Sequence, residues 1–244
     1  MLHFDFKFHL LRMKNFDFAW QLLLDPTAAF QSLKEKPHFW FPLLTLTIGT
    51  VAIFVWFYAV VDFDWMTAQI MASNPEFEKM SAAQRAQTTA FMTKSVMMWG
   101  AIIGGAVTLP AMRLLEAIYF LLISKTTSAS LSLKQWFALA CWTGFPAVLV
   151  LVLMGVSIAI RSNAQMTPDM MSMLSLNELI FHAPMGNKWF TLLTTLTVLN
   201  PYIWWLTIVG VKVFTARSMT YCAVIVMTPY VLVYVGWVLF ITLF

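Results

Sequence analysis

The amino-acid sequence predicts an all-α, polytopic membrane protein: five transmembrane helices preceded by an amphipathic N-terminal interfacial helix. Three observations predict it. Hydrophobic residues make up 60% of the 244 and charged residues only 11%, against about 25% charged in an ordinary soluble domain. Mean hydropathy is +0.76. The apolar residues gather in five long runs separated by charged segments, and a run of about 20 apolar residues is what a bilayer core requires of one helix. These figures exclude a disordered chain and a soluble enzyme. Two cysteines, Cys141 and Cys222, cannot hold a disulfide scaffold together. Both fall in apolar runs, where a thiol acts as a small apolar filler.

Residues 1–24 alternate aromatic and charged side chains (Phe4, Phe6, Phe8, Arg12, Lys14, Phe16, Phe18, Trp20). Such a segment suits the headgroup region, and it lacks the continuous apolar stretch of a cleaved signal peptide. Asp25 is a good N-cap, Pro26 suits the first helical position, and Phe30 and Leu33 share one face. Lys34 and Lys36 oppose the negative end of the helix dipole, and Pro37 stops the helix. This is the predicted interfacial helix. It closes a cytoplasmic segment, 1–38, ahead of a transmembrane domain, 39–244.

Span 1 is expected over Phe39–Val61, with Pro42 tolerated in its first turn. A polar segment, 62–94, follows, and Asn74-Pro75-Glu76 reads as a cap and helix start. Span 2 is expected over Ser95–Ile123 and span 3 over Lys134–Ile160, with the polar loop 161–187 after it. Span 4 is expected over Lys188–Val211, and span 5 over Tyr221–Phe244. Lys7, Arg12, Lys14, Lys34, Lys36, Lys125, Lys134, Lys212 and Arg217 then share one side of the membrane. Lys79, Arg85, Lys94, Arg161 and Lys188 share the other. The positive-inside rule puts the N-terminus in the cytoplasm, and five spans put the C-terminus outside. The net charge of +4 is thus assigned to orientation. A nucleic-acid partner is not expected, since the aromatics sit in the apolar runs instead of among clustered cations. No internal repeat suggests an inverted-repeat transporter.

Arg113 and Glu116 are the most informative pair. Three residues apart, they lie on one helix face within pairing reach. Ionisable groups inside a span are costly and mark partner or substrate sites; alternatively the two pair and snorkel to the interface. Gly100 and Gly104 form a small-xxx-small pair that permits close helix contact, within the chain or between chains. Gly144-Phe145-Pro146, Asn200-Pro201 and Pro229 mark helix breaks whose freed carbonyls need partners. Asn200 joins Arg113 and Glu116 as a polar group inside a span. Met166, Met170, Met171, Met173 and Met185 are read as apolar filler in preference to Cu(I) ligands. The histidines have no metal spacing. No catalytic signature is present, Ser157 has no histidine to activate it, and Asp62/Asp64 and Glu76/Glu78 are surface charge. No catalytic residue, metal or cofactor is expected.

The layout resembles a known family. Asp25-Pro26-Thr27-Ala28-Ala29-Phe30 with Lys36-Pro37 is similar to its first segment. Ser130-Leu131-Ser132-Leu133-Lys134-Gln135-Trp136, then Ala140-Cys141-Trp142-Thr143-Gly144-Phe145-Pro146, resembles its loop into the third span. Trp204-Trp205-Leu206-Thr207-Ile208-Val209-Gly210-Val211-Lys212, before Ser218 and Ala223, resembles its connection between the fourth and fifth spans. The family is the Ypt-interacting-protein (Yip) domain family, over about residues 20–240. The resemblance implies a five-helix membrane protein with a cytoplasmic N-terminus. Eukaryotic members bind Rab-type GTPases in vesicle traffic. This chain looks like a bacterial-type member with a short N-terminal tail, for which Rab partners are not expected. The expected function is a non-enzymatic inner-membrane scaffold or accessory subunit. Its expected partners are the lipid bilayer and other membrane proteins or a second copy. The alternative is a transporter or lipid-handling protein with its site at Arg113, Glu116 and Asn200.

Overall fold

The computed structural model describes residues 15–125, 131–161 and 163–243, with every side chain among them except that of Glu78. Phe4, Phe6, Phe8, Arg12, Lys14 and Ser130 lie outside the described residues. The described chain is helical, and its single β contact is an isolated bridge between Ser175 and Thr197. The helices are α1 (residues 15–24), α2 (Pro26–Glu35), α3 (Trp40–Val60), α4 (Phe63–Ala72), α5 (Pro75–Lys79), α6 (Ala82–Phe91) and α7 (Lys94–Ser124). They continue with α8 (Leu133–Thr143), α9 (Val148–Ile160), α10 (Phe190–Thr195), α11 (Asn200–Thr215) and α12 (Met219–Leu243). A 3-10 turn, Phe145–Ala147, joins α8 to α9.

Among the described residues, four helical segments are long and apolar enough to cross a membrane: α3, α7, α8–α9 (Leu133–Ile160) and α12. Their ends fall within two residues of the expected spans 1, 2, 3 and 5. The continuous span expected over Lys188–Val211 does not form. Residues 174–176 and 196–198 pair their backbones there, Leu176 N–H to Leu196 O at 2.7 Å and Val198 N–H to Leu174 O at 3.0 Å. This pairing replaces a helical turn. Pro201, which lacks an N–H, opens the first turn of α11. The 16 residues of α11 reach about 24 Å, short of a ~30 Å hydrocarbon core.

The chain forms two compact units. The first comprises Met1–Leu43, Met112–Phe145 and Tyr202–Leu232. Its core is aromatic: Phe18, Phe30, Phe120, Trp136, Trp142 and Phe214 are buried together with Leu22, Leu33 and Leu139. α2 starts as expected, the Asp25 carboxylate accepting from Ala28 N–H at 3.0 Å and Pro26 following it. Its surroundings are a correction. Ala29, Phe30 and Leu33 are wholly buried in protein, so the helix does not offer its apolar face to lipid. Gly210 leaves the space that Leu139 and Phe30 occupy. Lys34 donates to the Phe214 carbonyl at 2.8 Å, near the end of α11. Gln135, in the capping box that starts α8, donates to the Lys34 carbonyl at 2.8 Å. Trp142 Nε1–H reaches the His38 carbonyl at 2.8 Å. Helix ends thus supply each other's missing partners.

The second unit comprises Leu44–Ala111, Pro146–Pro201 and Val233–Phe244. Phe57, Tyr58, Val61, Met66, Ile158, Met166 and Met171 form its core. Met166 and Met171 are 1% exposed, packed as the filler the sequence suggests. Close helix approach rests on Gly49 and Gly105: a Cβ there would lie 2.8 Å from Leu151 Cδ1 and 2.9 Å from Thr50 Cγ2, respectively. The segment 62–94 carries three capped helices. Asp62 caps α4 and Asn74 caps α5, while Ser81 and Gln84 form a capping box on α6. Ser157 donates to the Met170 carbonyl at 3.1 Å, so its hydroxyl is already engaged.

Candidate functional site

Pairing of Arg113 and Glu116 follows from α7 itself. On a helix the i and i+3 side chains stand on one face, and Arg113 Nη1 meets Glu116 Oε2 at 2.8 Å. The side chains are 22% and 15% exposed. Neighbouring α7 residues anchor the face: Ala117 and Phe120 are buried, and Tyr119 donates its hydroxyl to the Ile225 carbonyl at 2.8 Å. Ile225 lies one turn before Pro229, whose missing N–H frees that carbonyl. Gly144 seats the guanidinium, since a Cβ there would stand 2.6 Å from Arg113 Cζ and 2.7 Å from Nη2. The residue reads in the sequence as part of a helix break. In the fold it is also the floor under Arg113.

The pair is only partly satisfied. Arg113 Nε and Glu116 Oε1 are buried and have no hydrogen-bond partner among the described residues. A buried ion pair is held mainly by the cost of separating it, and each unfilled atom adds a cost that a polar group could relieve. The pair therefore leaves one buried donor and one buried acceptor unfilled. It contains no nucleophile with a base. Cys141 lies in the electrostatic field of both charges, as a buried, free thiol.

Asn200 belongs to the second unit and has a local role. Its Oδ1 accepts from Thr197 N–H at 3.0 Å and from the Thr197 hydroxyl. Tyr234 also hydrogen-bonds it. Gly100 and Gly104 are on the outward face of α7, where an added Cβ would meet nothing within 4 Å. Packing of this pair within the chain, one of the two uses expected, is corrected: Gly105, the next residue, makes the close contact with Thr50. Val96, Trp99, Ile103 and Val107 continue the exposed stripe. Of the expected interfacial-helix residues, Asp25 and Pro26 start α2 and Lys34 ties it to α11, while Lys36 is exposed and its N–H closes the helix on Ser32.

Sequence reasoning missed the roles of Tyr119, Gln135 and Gly144. Each acts on a residue distant in the chain, so no local pattern marks it. The capping box Ser132-x-x-Gln135 was visible as a motif, although its second use on Lys34 was not. Among the described residues no three His, Cys, Asp or Glu side chains come together to hold a metal ion.

Four apolar spanning segments in an all-helical chain define a polytopic membrane protein. The profile of the Yip1 domain matches residues 20–240, and the chain belongs to the Yip1 domain family. Neither a curated protein nor a solved structure matches the chain.

Proposed function

We propose that the protein is a non-enzymatic membrane scaffold or accessory subunit, related by family to trafficking or transport. It binds other membrane proteins, or a second copy of itself, through the open face of α7. One observation carries this reading: Gly100 and Gly104 lie on a spanning helix with nothing within 4 Å of an added Cβ, in a stripe of exposed apolar residues. In lipid, small residues on an open face let a second backbone approach closely. The test is Gly100→Leu/Gly104→Leu, purified in mild detergent from the native membrane. Loss of the co-purifying partner, or of self-association, with the fold retained supports the reading. Unchanged association removes α7 as the interface.

A second reading, transport or lipid handling, rests on the unpartnered Arg113 Nε and Glu116 Oε1. Arg113→Ala that leaves a co-purified lipid or small molecule in place counts against it. The topology proposed with either reading has a cytoplasmic N-terminal segment, 1–38, a bacterial inner-membrane domain, 39–244, and the C-terminus on the periplasmic side. That parity needs a fifth crossing, and residues 188–215 supply it as a broken helix. Within the second unit Lys188 meets the Ile241 carbonyl and Asn200 meets Tyr234, and within the first Trp204 meets Tyr230 and Thr215 meets Cys222. Broken helices occur at membrane depth where protein satisfies the freed backbone, as the 174–176 pairing does here.

A further inference from the structure

We infer that the first unit carries a binding site for the phosphate headgroup of an anionic phospholipid, in a cavity of about 770 Å³ bounded by Lys34, Lys212 and Arg217. Four helix ends build it. Gln31, Lys34 and Glu35 come from the last two turns of α2, Gln135 from the first turn of α8, and Lys212 and Val213 from the last turn of α11. Arg217 follows α11, and Met219, the first residue of α12, completes the wall.

The charge is one-sided, three cations against Glu35. Lys34 Nζ is held by the Phe214 carbonyl at 2.8 Å and the Val213 carbonyl at 3.4 Å. It thereby offsets the negative end of α11 that would otherwise repel an anion. Lys212 and Arg217 are exposed and supply the charge a phosphate would meet. Gln31 adds an amide donor, Gln135 only the second N–H of an amide already given to the Lys34 carbonyl, and the start of α12, a 25-residue helix, adds a positive dipole end.

Two features favour a lipid over a soluble phosphate. The cavity lies where α8–α9 and α12, two spanning segments, begin, the level at which headgroups lie. Apart from Thr27 its remaining wall is apolar, with Leu131, Val209, Val213 and Met219, suited to a glycerol backbone and the first acyl carbons. Basic pockets between spanning helices recognise anionic headgroups in this way. None of its residues belongs to the Arg113–Glu116 pair or to the α7 stripe, and the inference does not depend on either.

The full-length protein in detergent is titrated with phosphatidylglycerol and with phosphatidylcholine of the same acyl chains, and bound lipid is counted by native mass spectrometry. Wild type should prefer phosphatidylglycerol. Lys212→Gln/Arg217→Gln should weaken that binding about 10- to 30-fold, at roughly a kcal/mol per cation near the membrane surface, and leave phosphatidylcholine unchanged. Glu35→Gln should strengthen it, a gain that misfolding cannot mimic. Lys134→Gln, a nearby cation outside the cavity, should change nothing. No preference in wild type, or equal weakening by Lys134→Gln, overturns the proposal. Displacement of the lipid by equimolar inorganic phosphate overturns the lipid assignment in favour of a soluble phosphate ligand.

Discussion

The two halves of α7 each pack one face and expose another, and they differ in what their small and charged residues meet. Lys94–Ala111 belongs to the second unit and Met112–Ser124 to the first. In the first stretch Gly100 and Gly104 face open space beside exposed Trp99, Ile103 and Val107. In the second, Ala117 and Phe120 are fully packed, and an ion pair sits against Gly144. A small residue in a membrane helix is thus no guide to where the helix packs. What decides is the shape of the side chain brought against it: Thr50 on Gly105, the Arg113 guanidinium on Gly144, nothing on Gly100 and Gly104. The half with the ion pair is packed on one face, although Met112, Leu115 and Leu122 are exposed, and the other half leaves its glycine pair open.

The sharpest way to break this contrast is to remove one charge from the packed half. Glu116→Leu leaves Arg113 buried and alone, and should cost about 3–5 kcal/mol, read as a fall in the unfolding midpoint in detergent. Arg113→Leu/Glu116→Leu should recover most of that loss, because two apolar side chains replace the pair. A single variant as stable as wild type would mean that water reaches the pair. Next in size is Gly144→Val, expected to cost about 1–3 kcal/mol by forcing the guanidinium off its seat; an unchanged melting point would show that the seat is loose. Tyr119→Phe should cost about 1–2 kcal/mol by orphaning the Ile225 carbonyl. Adding Pro229→Ala should remove much of that cost, since residue 229 regains the N–H that pairs one turn back. Additive losses in this cycle would refute the proline-filling role of Tyr119. The smallest effect belongs to the open half: Gly100→Leu/Gly104→Leu should change stability by less than about 0.5 kcal/mol, while altering association as proposed. A large destabilisation there would show that the stripe is packed in the native protein.

Much of the fold was legible in the residues. Four spans appear within two residues of where the apolar runs end, because hydrocarbon excludes charge and a helix must bridge a set thickness. The caps at Asp25 and Asn74 were legible for a similar local reason: a short polar side chain meets the free N–H groups of its own helix; Asp62, read as surface charge, proves to cap α4. The broken helix around Asn200 was only half legible. Pro201 announces a stop, but the backbone pairing of 174–176 with 196–198 joins segments distant in sequence. Of the candidate site, the i, i+3 spacing of Arg113 and Glu116 suggested their contact, while Gly144 beneath them and the unfilled Nε and Oε1 needed the fold.

By itself, then, the sequence determined a helical membrane protein, where most of its helices run, and how several of them begin. These are local matters, set by hydropathy over one span and by hydrogen bonds within one turn. Which apolar face is covered by protein and which is left exposed emerges with the assembled helices. α2 is the plainest case: Phe30 and Leu33 make the same stripe a lipid-bound helix would carry, yet both are wholly buried beside Leu139 and Phe214. The reason is physical. In a membrane the protein interior and the solvent are both apolar, so periodicity no longer separates inside from outside. Shape complementarity makes that choice, and it exists only once the helices are assembled.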